Sequence, residues 1–169
     1  MHLAKKSPLW GLGASTMAEK KSRFAKTISV ENRRARFEYQ FLDTFTAGVV
    51  LTGTEIKSIR EGKINLTDAY CLFFQDELYA RGINIAKYEQ GTYANHDPIR
   101  DRKLLLQKRE LKRLAEKLKD VGLTIVPTRL YINDKGLAKL DIALAKGKKL
   151  YDKREDIKDR DVKRELARR

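Results

Sequence analysis

Cysteine is almost absent: the 169 residues hold one, Cys71. A lone cysteine forms no intrachain disulfide, so no disulfide braces the fold, and it fits a reducing cytoplasm. Long apolar runs are missing too. No stretch reaches the ~18 residues that a membrane-spanning helix needs, so a membrane is not an expected partner. Histidine is limited to His2 and His96, and the chain has no HExxH, CxxC pair, phosphate-cradling glycine loop or GxSxG. Metal, phosphate and nucleophilic chemistry lose their usual signatures, and no cofactor is expected.

Charge is what the chain has in excess. Charged residues make up 36%, against ~25% in ordinary soluble proteins. The formal net charge is +14. A surplus of that size repels itself and commonly serves to meet a polyanion, whether RNA, DNA or an anionic membrane. At 41% hydrophobic residues, a chain of this length can bury one real core without metals or disulfides. At the N-terminus, LWGLGA is too short for a signal-peptide core of ~7–15 residues. Met17 opens a second plausible start. Residues 1–27 read as a flexible basic extension, 28–146 as the folded body and 147–169 as a basic tail.

Within the body, RFEYQFL alternates Phe37, Tyr39 and Phe41 with Glu38 and Gln40. FTAGVVL alternates Phe45, Ala47, Val49 and Leu51. The polar link Asp43–Thr44 between them predicts an antiparallel pair. The period then changes. Thr52 and Glu55 have capping-box spacing, Ile56 and Ile59 share a helical face, and Gly62 is a good stop. LTDAYCLFF and ELYARGINI read as a hairpin about Gln75–Asp76.

Residues 86–103 show neither period, and a loop that long inside a compact domain is often functional. Leu111, Leu114, Leu118 and Val121 recur at helical spacing up to Gly122. LTIVPTRLYI and GLAKLDIALA form a last hairpin, with Gly136 in the loop. Their apolar phase slips at Pro127, which predicts a bulge or an edge. The fold class is therefore mainly β: a small antiparallel OB-like barrel of about six strands with two to three helices.

Residues 146–169 hold eleven Lys or Arg against six Asp or Glu. Leu150, Ile157, Val162 and Leu166 are the only sizeable aliphatic residues there, too few to bury, so the free tail is expected to be disordered. It has no Pro or Gly after Gly147, and Asp156–Arg160 and Asp159–Lys163 support a helix at i,i+4. The plain alternative is a tail that only keeps the chain soluble.

Five strings occur in order: NRRARFEY, AGVVLTGTEIKSIREGKINLTDAY, YEQG, HDPIRDRKLLL and AKGKKLYDKREDIKDRD. Together they resemble the SsrA-binding protein (small protein B) family of bacteria, from about residue 28 to the end. The resemblance implies an OB-like barrel that binds the transfer-RNA-like domain of transfer-messenger RNA. It implies delivery of that RNA to stalled ribosomes, where trans-translation frees the ribosome and tags the incomplete protein for degradation. It implies no catalysis and a monomer. The segment Asn32, Arg33 and Arg34 and the turn at 45–48 would touch RNA. This chain has Thr46 where the family usually has glutamate. The tail motif Gly147, Lys148, Lys149, Tyr151, Asp152, Lys153 and Arg154 would enter the empty messenger-RNA channel and decoding centre of the small subunit as a helix.

The residues themselves leave choices open. Tyr88 and Tyr93 can stack on bases or cap the barrel mouth. Arg100, Arg102 and Lys103 are read as phosphate contacts. Arg33, Arg34 and Arg36 hold RNA or guard a strand edge. Lys57 and Arg60 point away from Ile56 and Ile59, toward RNA or plain solvent. His96–Asp97, with Asp68 or Glu55, is the one arrangement a metal-dependent nuclease would use. Asp97 precedes Pro98, though, which fits an Asx turn better, and Cys71 alternates in phase with Phe73 as a core thiol. The chain is therefore read as no enzyme. The alternative to a rescue factor is a structural ribosomal-type RNA-binding protein.

Overall fold

Two turns organise the sheet. Gln75 and Asp76 both take positive φ, 48° and 60°, the pairing that a two-residue hairpin turn requires. They join β-strands Tyr70–Phe74 and Glu77–Arg81. Gly136, at φ 78°, closes the hairpin of Leu123–Ile132 with Ala138–Gly147. The structure, a computed structural model, describes residues 28–168. The expectations for 1–27, including Met17 and His2, lie outside the described residues.

In chain order the elements are β1 (Ser29–Glu31), α1 (Arg33–Glu38), β2 (Tyr39–Val49), α2 (Gly53–Arg60), β3 (Ile64–Asn65), β4 (Tyr70–Phe74), β5 (Glu77–Arg81), β6 (Asn84–Ile85), β7 (Arg102–Leu105), α3 (Lys108–Lys117), β8 (Leu123–Ile132), β9 (Ala138–Gly147) and α4 (Leu150–Leu166). Hydrogen bonding runs β8–β4–β5–β7–β2–β9 and back to β8. The expected barrel is a closed ring of six antiparallel strands. β1 attaches to β8, and β3 and β6 form a separate two-stranded ladder.

The pair expected around Asp43–Thr44 is instead one strand. β2 runs through these residues against β9 and bulges at Leu42, between the pairs Phe41↔Ala145 and Asp43↔Leu144. The extra residue flips the side-chain phase. Phe45 and Val49 pack against the core inside the ring, which includes Ala47, whereas Tyr39 and Phe41 pack outside it with Ala35, Val126 and Ala145. That outer cluster seats α1, and residues 33–38 are helix where alternation predicted strand. β8 bulges at Thr128, beside Pro127 as expected, but lies within the sheet and not at its edge.

α2 matches its expected span, and the Thr52 N–H donates to Glu55 Oε2 at 2.8 Å. It plugs one end of the ring with the fully buried Ile59. α3 covers the other end through Leu111, Leu114 and Leu118. It stops at Lys117, and Val121, expected on its apolar face, is 99% exposed. Cys71 is buried in the core as read, and burial pushes its thiol pKa up.

Where composition predicts a tail without structure, the chain carries α4, a helix with no buried residue. One support is local and the others reach α1. Asp152 accepts the Lys149 N–H at 3.2 Å at its start, and Lys148 and Arg160 attach it to α1. Arg160 lies 5.8 Å from the Phe37 ring centroid.

Candidate nucleic-acid interface

Three buried side chains, Tyr88, His96 and Arg102, pin the long loop to the body. Arg102 is fully buried. Its Nε donates to Glu55 Oε1 at 2.9 Å and its Nη1 to the Ile83 carbonyl at 2.6 Å. The expectation that Arg102 meets phosphate is therefore corrected: its guanidinium is used up in holding the loop to α2. Arg100 joins the same carboxylate, Nη2 to Glu55 Oε2 at 2.5 Å, and is only partly exposed. Burial opposes the Glu55 charge, yet Arg100, the Thr52 N–H and Arg102 outweigh it and hold the carboxyl below the usual range.

His96 is likewise buried. Its Nε2 faces the Ile85 carbonyl at 3.0 Å and its Nδ1 the Thr54 hydroxyl at 2.9 Å. A carbonyl only accepts, so Nε2 carries the proton. The ring ties loop to helix. Among the described residues, no three His, Cys, Asp or Glu side chains converge as metal ligands. Tyr88 is buried, with Lys57 Nζ 5.3 Å from its ring centroid, whereas Tyr93 is fully exposed. Lys103 pairs with Glu77.

Asn32 is also an internal residue. Its side chain accepts the Ala35 N–H at 3.0 Å, capping α1, and donates to the carbonyls of Leu66 (2.7 Å) and Pro127 (3.1 Å). As a direct RNA contact it is corrected; it locks α1 to the barrel instead. Arg33 and Arg36 are exposed on α1. Arg34 is held by Glu38 and Asp68, both at 2.8 Å.

Next to α1 the outer wall of β1–β8–β9–β2 forms a groove of about 650 Å³. Strand register orders this wall in rows, the first of which lines the groove. One row crosses four strands as Glu31–Arg129–Asp141–Thr46, and the next as Ser29–Tyr131–Lys139–Gly48. Arg129 stacks on Tyr131, 4.8 Å from guanidinium carbon to ring centroid, and donates from Nε to Ser29 Oγ at 2.8 Å. Thr46 Oγ1 donates to Asp141 Oδ1 at 2.7 Å. Two carboxylates therefore stand on this row, Glu31 on β1 and Asp141 on β9, and neither is at position 46.

Arg129, Tyr131, Lys139 and Asp141 were missed by sequence reading. The signal was present: once the strands alternate, the polar positions of one hairpin must share a face. Sequence reading spent its basic residues on the loop, where the fold buries Arg102 and pairs Arg100 and Lys103 with carboxylates.

Among the tail residues, Gly147 ends β9 opposite Tyr39 and Lys149 precedes α4. Tyr151 and Arg154 are exposed, and Asp152 and Lys153 are partly covered. Lys148 belongs to the body: its N–H donates to the Glu38 carbonyl at 2.9 Å, and it lines the groove.

A closed barrel whose outer wall carries Arg129, Tyr131 and Lys139, beside a short helix with Arg33 and Arg36 exposed, is a protein of the OB-like class. The comparisons specify it further. A family model described as "SmpB protein" matches residues 29–169. The SsrA-binding protein of Phocaeicola vulgatus is 60% identical over 141 residues, 83% of this chain and 94% of the relative. That of Moorella thermoacetica is 48% identical over 141 residues, 83% and 91%. A chain in the solved structure "tmRNA-SmpB: a journey to the center of the bacterial ribosome" is 51% identical with a TM-score of 0.62, covering 72% of this chain and 85% of that one. The chain belongs to the SmpB family.

Proposed function

We propose that this chain binds the transfer-RNA-like domain of transfer-messenger RNA in the cytoplasm and carries it to stalled ribosomes for trans-translation. On this reading it contributes binding and no chemistry. The body grips RNA, and the tail, with Tyr151, Lys153 and Arg154, enters the empty messenger-RNA channel toward the decoding centre. Family membership supports the partner. The observation that supports the gripping surface is the outer wall, where Arg129 lines the groove and Tyr131 and Lys139 stand in the neighbouring row, beside the exposed Arg33 and Arg36 of α1. Thr46 is an exposed contact within the groove, and Lys57 is exposed on α2, away from it.

The test is RNA affinity against salt. Arg129→Ala and Lys139→Ala together should weaken binding of a transcript of the transfer-RNA-like domain, and each should lower the salt slope by about 1. Arg102→Met should leave the slope of the folded protein unchanged. The reverse pattern would place the RNA on the loop.

A further inference from the structure

Carboxylates are out of place on a wall that holds phosphates alone. Glu31, Arg129, Asp141 and Thr46 follow one another across four strands and all line the groove. A carboxylate repels phosphate and only accepts hydrogen bonds. Arg129 stands between the two acidic residues and bonds to neither. Its Nε donates to Ser29 Oγ and its plane lies on the Tyr131 ring, while Nη1 and Nη2 meet no partner among the described residues. Asp141 is also fixed in place. Its Oδ1 takes the Thr46 hydroxyl at 2.7 Å, and its Oδ2 has no partner among the described residues. Oδ1 keeps a second lone pair. The groove therefore sets a pair of donors beside a pair of acceptors, both held before any ligand arrives.

We propose that Arg129 and Asp141 together form a subsite for one unpaired guanine. This rests on the reading of the groove as the RNA surface. Guanine carries the matching order of groups along its edges: N7 and O6 accept, and the adjoining N1–H and 2-amino group donate. Arginine meets N7 and O6 with two parallel bonds. A carboxylate meets N1–H and the 2-amino group in the same way. Adenine and cytosine each offer one amino group and uracil one ring N–H, so none of them presents two parallel donors to Asp141. The guanine has to be unpaired, because a Watson–Crick partner would occupy N1–H and the 2-amino group. Thr46 is a positioning residue, since its hydroxyl sets the angle of the carboxylate. Glu31 is exposed, has no such hold, and is not part of the subsite.

The experiment uses the full-length chain and short single-stranded RNAs of uridine with one central guanine, inosine, adenine or cytosine, titrated by fluorescence anisotropy at low, fixed salt. The unaltered chain should bind the guanine probe roughly tenfold more tightly than the adenine or cytosine probe. Inosine, which lacks the 2-amino group, should fall between them. Asp141→Asn keeps an acceptor for Thr46 but should lose the preference for guanine, and it should bind the adenine probe more tightly because a charge that repels phosphate is gone. Glu31→Gln removes the same charge from the same row, so it should tighten all four probes alike and keep the preference. Equal affinity of the unaltered chain for all four central bases, or an undiminished preference in Asp141→Asn, would overturn the guanine subsite and leave the RNA surface standing. Failure of every short probe beside a transcript of the transfer-RNA-like domain that does bind would overturn it too. No binding of that transcript would remove the RNA reading of the groove, and this proposal with it.

Discussion

Glu55 shows how one side chain can serve two structures. It accepts the N–H of Thr52, the cap residue of α2, and anchors Arg100 and Arg102 of the long loop. Removing one partner of a buried ion pair strands the other charge, so Arg102→Ala should cost about 3–5 kcal/mol in urea unfolding. The pH dependence has a definite sign. A carboxyl held below its unfolded value of ~4.3 stabilises the fold above that value and loses the effect as pH falls through the folded value. The urea midpoint should therefore drop as pH falls below that value, and Glu55→Gln, already weaker at pH 7, should drop less. Arg102 carries a lesson about reading. An arginine followed by a lysine in an aperiodic segment looks like a phosphate ligand. Nothing local says that a carboxylate forty-seven positions earlier will claim it.

At the level of elements, legibility depended on whether the cause was local. α2, the Gln75–Asp76 turn and the β8 bulge all carry their own signals: a capping pair, a two-residue link and a proline. β2 does not. Leu42 is an ordinary leucine, and its bulge exists because α1 must cover Tyr39 and Phe41 while Phe45 fills the ring. Asn32, a favoured helix cap, was the overlooked sign of α1. β7 was hidden because its first residue, Arg102, points inward. Deleting Leu42 should force Tyr39 and Phe41 into the barrel phase and unseat α1. The expected loss is on the order of 4 kcal/mol or more, read by thermal unfolding, whereas Leu42→Ala should be nearly neutral because the residue is 51% exposed. A chain ending after Lys149 keeps the groove and loses α4. It should retain RNA affinity and lose tagging on stalled ribosomes, and a chain ending after Lys146 should lose affinity as well, measured side by side by gel shift.

For the whole molecule, the surplus of +14 has one overriding consequence in solution. If six to ten phosphates are neutralised, affinity should fall by roughly 10³–10⁵ between 50 and 200 mM salt. A slope near zero in a titration would leave the charge without a role. The ring imposes a different constraint, on assembly. Its closing seam joins β2, early in the chain, to β9, late in it, from Tyr39↔Gly147 to Gly48↔Lys139. Long-range seams form late because the intervening chain must first be brought together. Until β9 arrives, β2 offers a bare edge that another molecule's β9 fits equally well. Refolding from denaturant should therefore yield single barrels when dilute and strand-exchanged pairs when concentrated.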